Sequence, residues 1–141
     1  MINSQKLSKK LLDVCIRKNV KLLTAESCTG GLLSANITGI AGSSSVFSHG
    51  FICYSNESKR KFLNVSEKTI DSYGAVSYQT VKQMLTGLCN QAETNTLTIA
   101  ISGVAGPNRS EAKPVGLVFI GIKISSCNTE AIAELNFGNI E

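Results

Sequence analysis

The chain has 141 residues, 43% of them apolar and 17% charged, which suits one globular domain and excludes a disordered chain. Its net charge of +4 comes from fourteen basic residues dispersed between Lys6 and Lys123. The densest run is Lys59-Arg60-Lys61, so there is no polybasic tail for nucleic acid, and no eighteen-residue apolar run points to a membrane span.

Residues 4–18 are predicted to form an amphipathic helix with Leu7, Leu11 and Cys15 on one stripe, and their stretch holds no signal-peptide core. VKLLTA (20–25) suits a short buried strand ending at SCTGG, after which LLSANITGI has helical spacing and closes at Gly39 and Gly42. HGFICYS (49–55) alternates as a second strand. Asn56 is then expected to cap a short helix, ESKRKFL, with Glu57 in its first turn, where the helix dipole favours an anion. Ser77 opens a helix running through Asn90, with Val81, Leu85, Leu88 and Cys89 facing in. TLTIAIS (96–102) is a strand followed by GVAGP. VGLVFIGIKI (115–124) and EAIAELNF (130–137) are strands joined by the tight SSCNT turn, hence antiparallel. Helices interleaved with apolar strands predict the α/β class: one layered α/β/α domain over residues 1–141 with a mixed, mostly parallel sheet.

Five cysteines (Cys15, Cys28, Cys53, Cys89 and Cys127) include no C-x-x-C pair. Their spacing fits neither a zinc site nor a disulfide framework. They read as reduced thiols of a cytoplasmic protein, mostly small core residues.

Three loops follow predicted strands: SCTGG, SNESK and SGVAGP. Ligands of open α/β sheets collect at the carboxyl ends of strands, so the three can converge on one pocket. Equally, Ser and Gly are simply what turns use. SCTGG leads into a helix, whose N-terminal N–H groups suit a phosphate or carboxylate. It is neither a Walker loop nor a nucleophile elbow, and GVAGP has one glycine too few for G-x-G-x-x-G. Within the first loop Cys28 is either a thiol activated at a helix start or a small buried residue. Glu26 is either a base or ligand-binding group, or a solvated loop acid.

A serine nucleophile needs a base. The one histidine, His49, falls where the second strand begins, the place of a packed or surface residue. Lysine is the alternative, since Ser–Lys pairs also form nucleophilic sites. Lys59 lies in the first turn of the helix after the second strand and can point back toward the strand end and the loop around Ser44. Serving as a base near pH 7 requires a fall of about 3 units from a pKa of about 10.4, which burial supplies and exposure does not. Of Lys59, Arg60 and Lys61, at most one is expected to turn inward, with its neighbours left in water.

TAESCTGGLLSANIT (24–38), AGSSSVFSHGFICYSNESKRKFLNV (41–65), YGAVS (73–77), SGVAGP (102–107) and KPVGLVFIGI (113–122) together resemble the CinA C-terminal domain family. Its stand-alone members are PncC-type nicotinamide mononucleotide deamidases, and the resemblance covers nearly the whole chain. It implies a CinA C-terminal domain-like fold and an amidohydrolase of NAD salvage. The implied reaction converts nicotinamide mononucleotide to nicotinate mononucleotide and ammonia, with no metal or redox cofactor. It implies Ser44 as nucleophile, Lys59 as base, and Tyr54 as a tyrosine that relays a proton or holds Lys59 neutral. Backbone donors near Ser44 and Ser45 would hold the oxyanion. The loops carrying Ser27, Thr29, Gly30 and Gly31, and Ser102 and Gly103, would bind pyridine, ribose and phosphate. A homo-oligomer, dimer or higher, is expected, with no membrane partner. Nucleic acid, which the family's competence name raises, is not expected as a partner.

Two stretches depart from the family pattern. GPNRSEAKP is shorter than the family's GPGG-like loop and lacks its second glycine pair. The family continues with a G-D-R element and a last helix, whereas this chain reads FGNIE, with Asn139 and Ile140 opposite Asp and Arg. That arginine is implied in substrate binding, and Arg109 in the altered loop is the candidate stand-in. These departures motivate a function of another class, a degenerate, competence-associated ligand-binding or interaction module without useful turnover.

Overall fold

The computed structural model describes residues 3–138. Five strands, β1 (Lys21–Glu26), β2 (Phe47–Ile52), β3 (Thr96–Gly103), β4 (Leu117–Ile124) and β5 (Glu130–Asn136), form one sheet in the order β2-β1-β3-β4-β5. β2, β1 and β3 run parallel; β4 and β5 continue antiparallel. The sheet is mixed, as the short SSCNT turn requires, and its parallel part carries the strand ends where the site lies.

Helices cover both faces. α1 (Ser4–Lys18) and α2 (Leu32–Thr38) lie on one side, where Leu12, Cys15 and Ile37 pack with Leu22, Val46 and Ile99. On the other side are α3 (Asn56–Leu63), α4 (Glu67–Tyr73) and α5 (Tyr78–Cys89). There Leu63, Ile70, Val81, Met84, Leu85 and Leu88 close over Leu23, Ala25, Ala100 and Phe119. α1 starts where Asn3 accepts the Gln5 and Lys6 N–H groups, and α5 where Ser77 accepts that of Thr80.

Three details differ from the sequence-based expectation. β2 begins and ends earlier than HGFICYS, because its register with β1 runs from Leu22 opposite Phe47 to Glu26 opposite Ile52. Cys53 and Tyr54 thereby leave the sheet with their carbonyls turned to α3. The cap of α3 is Ser55 and not Asn56: the Ser55 hydroxyl accepts from Ser58 N at 3.0 Å while Ser58 Oγ accepts the Ser55 N–H, a capping box. α4 has no counterpart among the elements predicted from the sequence; its start is Ser66, whose hydroxyl accepts the Thr69 N–H. At Gly50 on β2, any Cβ would run into Thr24 Oγ1 and stand 3.1 Å from Ser34 Oγ. Only glycine lets this edge strand lie against the polar pair that leads to the site.

Candidate active site

β1 ends at Glu26 and runs straight on into Ser27. Glu26 is completely buried, and its carboxylate accepts four hydrogen bonds. They come from Thr29 Oγ1 (2.7 Å), Leu33 N (2.8 Å), Ser34 N (3.0 Å) and Ser34 Oγ (2.6 Å). Burial alone would push its pKa up, but these donors outweigh it and hold the group below the ordinary carboxylate value. Glu26 thus takes the opening N–H groups of α2 for itself. The anion site expected at this helix start is occupied by the chain's own carboxylate, and Thr29 faces inward to it. With φ of 58° and 104°, Gly30 and Gly31 make the turn between them. Glu26→Ala is expected to lower unfolding stability by about 2–4 kcal/mol, since it removes a buried acceptor and strands four part-buried donors. Chemical denaturation measures this; a loss under about 0.5 kcal/mol would contradict the role.

Ser27, the next residue, has its backbone N–H on Ile101 O (3.0 Å), which ties the start of the turn to the central strand. Its hydroxyl is met by Lys59 from α3. The Lys59 side chain is 1% exposed and its Nζ lies 3.0 Å from Ser27 Oγ, 2.9 Å from Cys53 O and 3.4 Å from Tyr54 O. Burial pulls the lysine below its ordinary pKa, an effect partly opposed by Cys53, Glu111 and Cys28. A neutral amine has two N–H bonds and one lone pair. As the ammonium, Lys59 donates to Ser27 Oγ and both carbonyls; deprotonated, it would keep the carbonyls on its N–H groups and turn its lone pair to the serine hydroxyl. The rest of the basic run stays outside: Arg60 pairs with Glu67 at 3.3 Å, and Lys61 lies over the Phe62 ring.

These groups line a cleft of about 290 Å³ at the carboxyl ends of β1, β2 and β3, shared with Cys28, Tyr54, Ser102, Gly103 and Glu111. Ser102 is buried and donates to Ala75 O at 2.8 Å, so its hydroxyl fastens the wall. Gly103 passes close by, since a Cβ there would stand 3.0 Å from Cys28 Sγ and from Leu117 O. Burial raises the Cys28 thiol above its ordinary pKa, the opposite of an activated nucleophile. Tyr54 is 71% exposed on the rim, and its contact with Lys59 runs through its backbone carbonyl and not its phenol.

Ser44 is not brought to Lys59. It sits in a 3-10 turn, Ser43–Ser45, before β2, and lines a separate cleft of about 390 Å³ with Lys21, His49 and Thr96, at the amino ends of the parallel strands. Lys59 follows β2, so the length of a six-residue strand, roughly 20 Å, lies between them. The pairing of Ser44 with Lys59 is corrected on that ground, and the oxyanion role of Ser45 falls with it: the Ser45 hydroxyl donates to Gly42 O and its carbonyl accepts from Lys21. His49 Nδ1 lies 3.0 Å from Ser48 Oγ and its ring packs edge-on against Phe51. Arg109 turns into its own loop, donating to Ala112 O at 2.6 Å. Asn139 and Ile140 lie outside the described residues. Among the described residues no His/Cys/Asp/Glu cluster is arranged for a metal, and no helix is long and apolar enough to cross a membrane.

A family model described as the CinA C-terminal domain matches residues 4–139. The chain belongs to the CinA C-terminal domain family. A CinA-like protein of Petrotoga mobilis is 44% identical over 125 residues, 88% of this chain and 31% of that protein. A relative in Alkaliphilus oremlandii, named for competence and damage induction, is 44% identical over 133 residues, 94% of this chain and 32% of its own length. The chain thus spans about a third of the length of these curated CinA relatives. Among solved structures, the competence/damage inducible protein CihA of Agrobacterium tumefaciens has a TM-score of 0.91 at 38% identity, covering 97% of this chain and 82% of that one. A CinA superfamily protein of Escherichia coli has a TM-score of 0.87 at 31% identity, covering 96% of this chain and 78% of that one.

Proposed function

We propose that this CinA domain is an amidohydrolase that converts nicotinamide mononucleotide to nicotinate mononucleotide and ammonia, with Ser27 as nucleophile and Lys59 as base. The observation that carries the reading is the 3.0 Å contact between the Ser27 hydroxyl and a lysine amine buried beside two carbonyls. Neutral Lys59 takes the Ser27 proton as Oγ attacks the carboxamide carbon. The tetrahedral oxyanion is received by backbone N–H groups of the turn, that of Cys28 foremost, as the residue after the nucleophile. Collapse breaks the C–N bond, and the proton held by Lys59 leaves with ammonia. Water, deprotonated by the same amine, then cleaves the acyl ester to the carboxylate and frees Ser27.

Purified protein supplied with nicotinamide mononucleotide should release one ammonia per nicotinate mononucleotide formed. A folded preparation that binds the nucleotide and releases no ammonia rejects the reading in favour of a binding module.

A further inference from the structure

The loop closing the cleft holds a conformation that side chains seldom adopt. Ser110 and Lys113 pair as an isolated bridge, and the two residues between them, Glu111 and Ala112, have φ of 53° and 60°. Two successive left-handed residues are the mark of a type I′ turn, ordinarily filled by Gly and Asn, and each non-glycine there is strained. A strained turn needs neighbours that over-determine it. Here Glu111 Oε1 accepts the Ala75 N–H at 2.9 Å, and Lys113 Nζ donates to Tyr73 O (2.6 Å) and Val76 O. The turn is thus strapped to the segment between α4 and α5.

The strap fixes a carboxylate in the cleft. Glu111 and Lys59 are the two charged side chains among the described residues that line it. Lys59 is directed to Ser27, whereas the second Glu111 oxygen is only loosely engaged, 3.9 Å from Lys113 Nζ, and the side chain is 30% exposed. Glu111 is thus the one acidic side chain lining the cleft among the described residues, its charge partly offset by Lys113 behind it.

We propose that Glu111 determines specificity in this cleft, favouring an amide on a positively charged ring, the N-substituted pyridinium, over the same amide on an uncharged ring. The proposal rests on the reading under Proposed function, because the nicotinamide ring carries a formal positive charge once its nitrogen bears the sugar. A carboxylate held near such a cation attracts it without contacting the reacting bond.

The test compares two ligands that differ chiefly in ring charge, nicotinamide mononucleotide and its dihydro form, by calorimetry in a Ser27→Ala background where neither is consumed. Glu111→Gln keeps an acceptor for the Ala75 N–H and removes the charge. The preference for the oxidised ligand, the ratio of the two dissociation constants, is expected to fall about fivefold, the scale of a partly exposed ion pair. Glu111→Asp retains the charge and should keep most of the preference, and thermal midpoints confirm that each variant is folded. A preference unchanged within about twofold in Glu111→Gln overturns the proposal, even where the Ser27-intact protein releases ammonia and the amidase reading stands. Failure of both ligands to bind, with no ammonia released, overturns the two together.

Discussion

Ser27→Ala is expected to lower ammonia release from nicotinamide mononucleotide by about a thousandfold or more, while Ser44→Ala leaves it within about twofold. The difference follows from placement. A hydroxyl attacks a carboxamide only when its proton has somewhere to go, and the base must stand within hydrogen-bond reach. Lys59 stands 3.0 Å from Ser27, whereas Ser44 lines a cleft at the opposite ends of the parallel strands. Ser27→Ala removes only the hydroxyl and leaves the turn's ties intact, namely Ser27 N to Ile101 O and Glu26 to the start of α2. The fold should therefore survive, and lost activity would report chemistry. Steady-state ammonia assays on both variants decide the matter: equal loss in both, or retained turnover in Ser27→Ala, removes Ser27 as nucleophile.

The choice between these serines marks where the sequence was legible and where it was not. α1, β1, α5 and β3 follow from helical spacing and apolar runs, and the antiparallel pair follows from a turn too short to cross over. The sequence also indicates that loops after strands converge on a pocket, and Ser27 lies in such a loop whereas Ser44 precedes a strand. The family resemblance points instead to Ser44, which the fold places in another cleft, away from Lys59. That at most one residue of the basic run Lys59-Arg60-Lys61 turns inward follows from charge patterning, but the partner of Lys59 depends on the register between β1 and β2. Register sets Cys53 N on Glu26 O, and so brings the chain after β2 alongside Ser27. Nothing in single-sequence periodicity encodes that. Glu26 looked equally like a base and a solvated acid, because its four donors come from residues three to eight positions later, assembled only when α2 folds back. Glu111 was hidden for a related reason: two non-glycine residues in left-handed conformation leave no composition signal.

Lys59→Met is expected to reduce turnover by about 10²–10⁴-fold, the usual contribution of a positioned base. Lys59→Arg should be equally inactive at every accessible pH, because a guanidinium holds its proton beyond pH 12. The Met variant also isolates the lysine's effect on stability. Burial lowers the Lys59 pKa in the folded state, while the unfolded chain titrates near 10.4. Between those two values the unfolded state binds the extra proton, so the folded parent gains stability as pH rises, by up to about 1.4 kcal/mol per pH unit. Below the lowered pKa both states are charged, and the full penalty of burying an ammonium is present. Stability of the parent relative to Lys59→Met must therefore climb with pH toward 10.4, whatever constant offset the lost contacts to Cys53 and Tyr54 introduce. The same titration shapes catalysis: kcat/KM falls as pH drops through the lowered Lys59 pKa, because the ammonium has no lone pair for the Ser27 proton. Denaturant melts of parent and variant across pH 7–10 that run parallel, or a kcat/KM profile without an acid limb, would show that the buried lysine stays charged and is not the base.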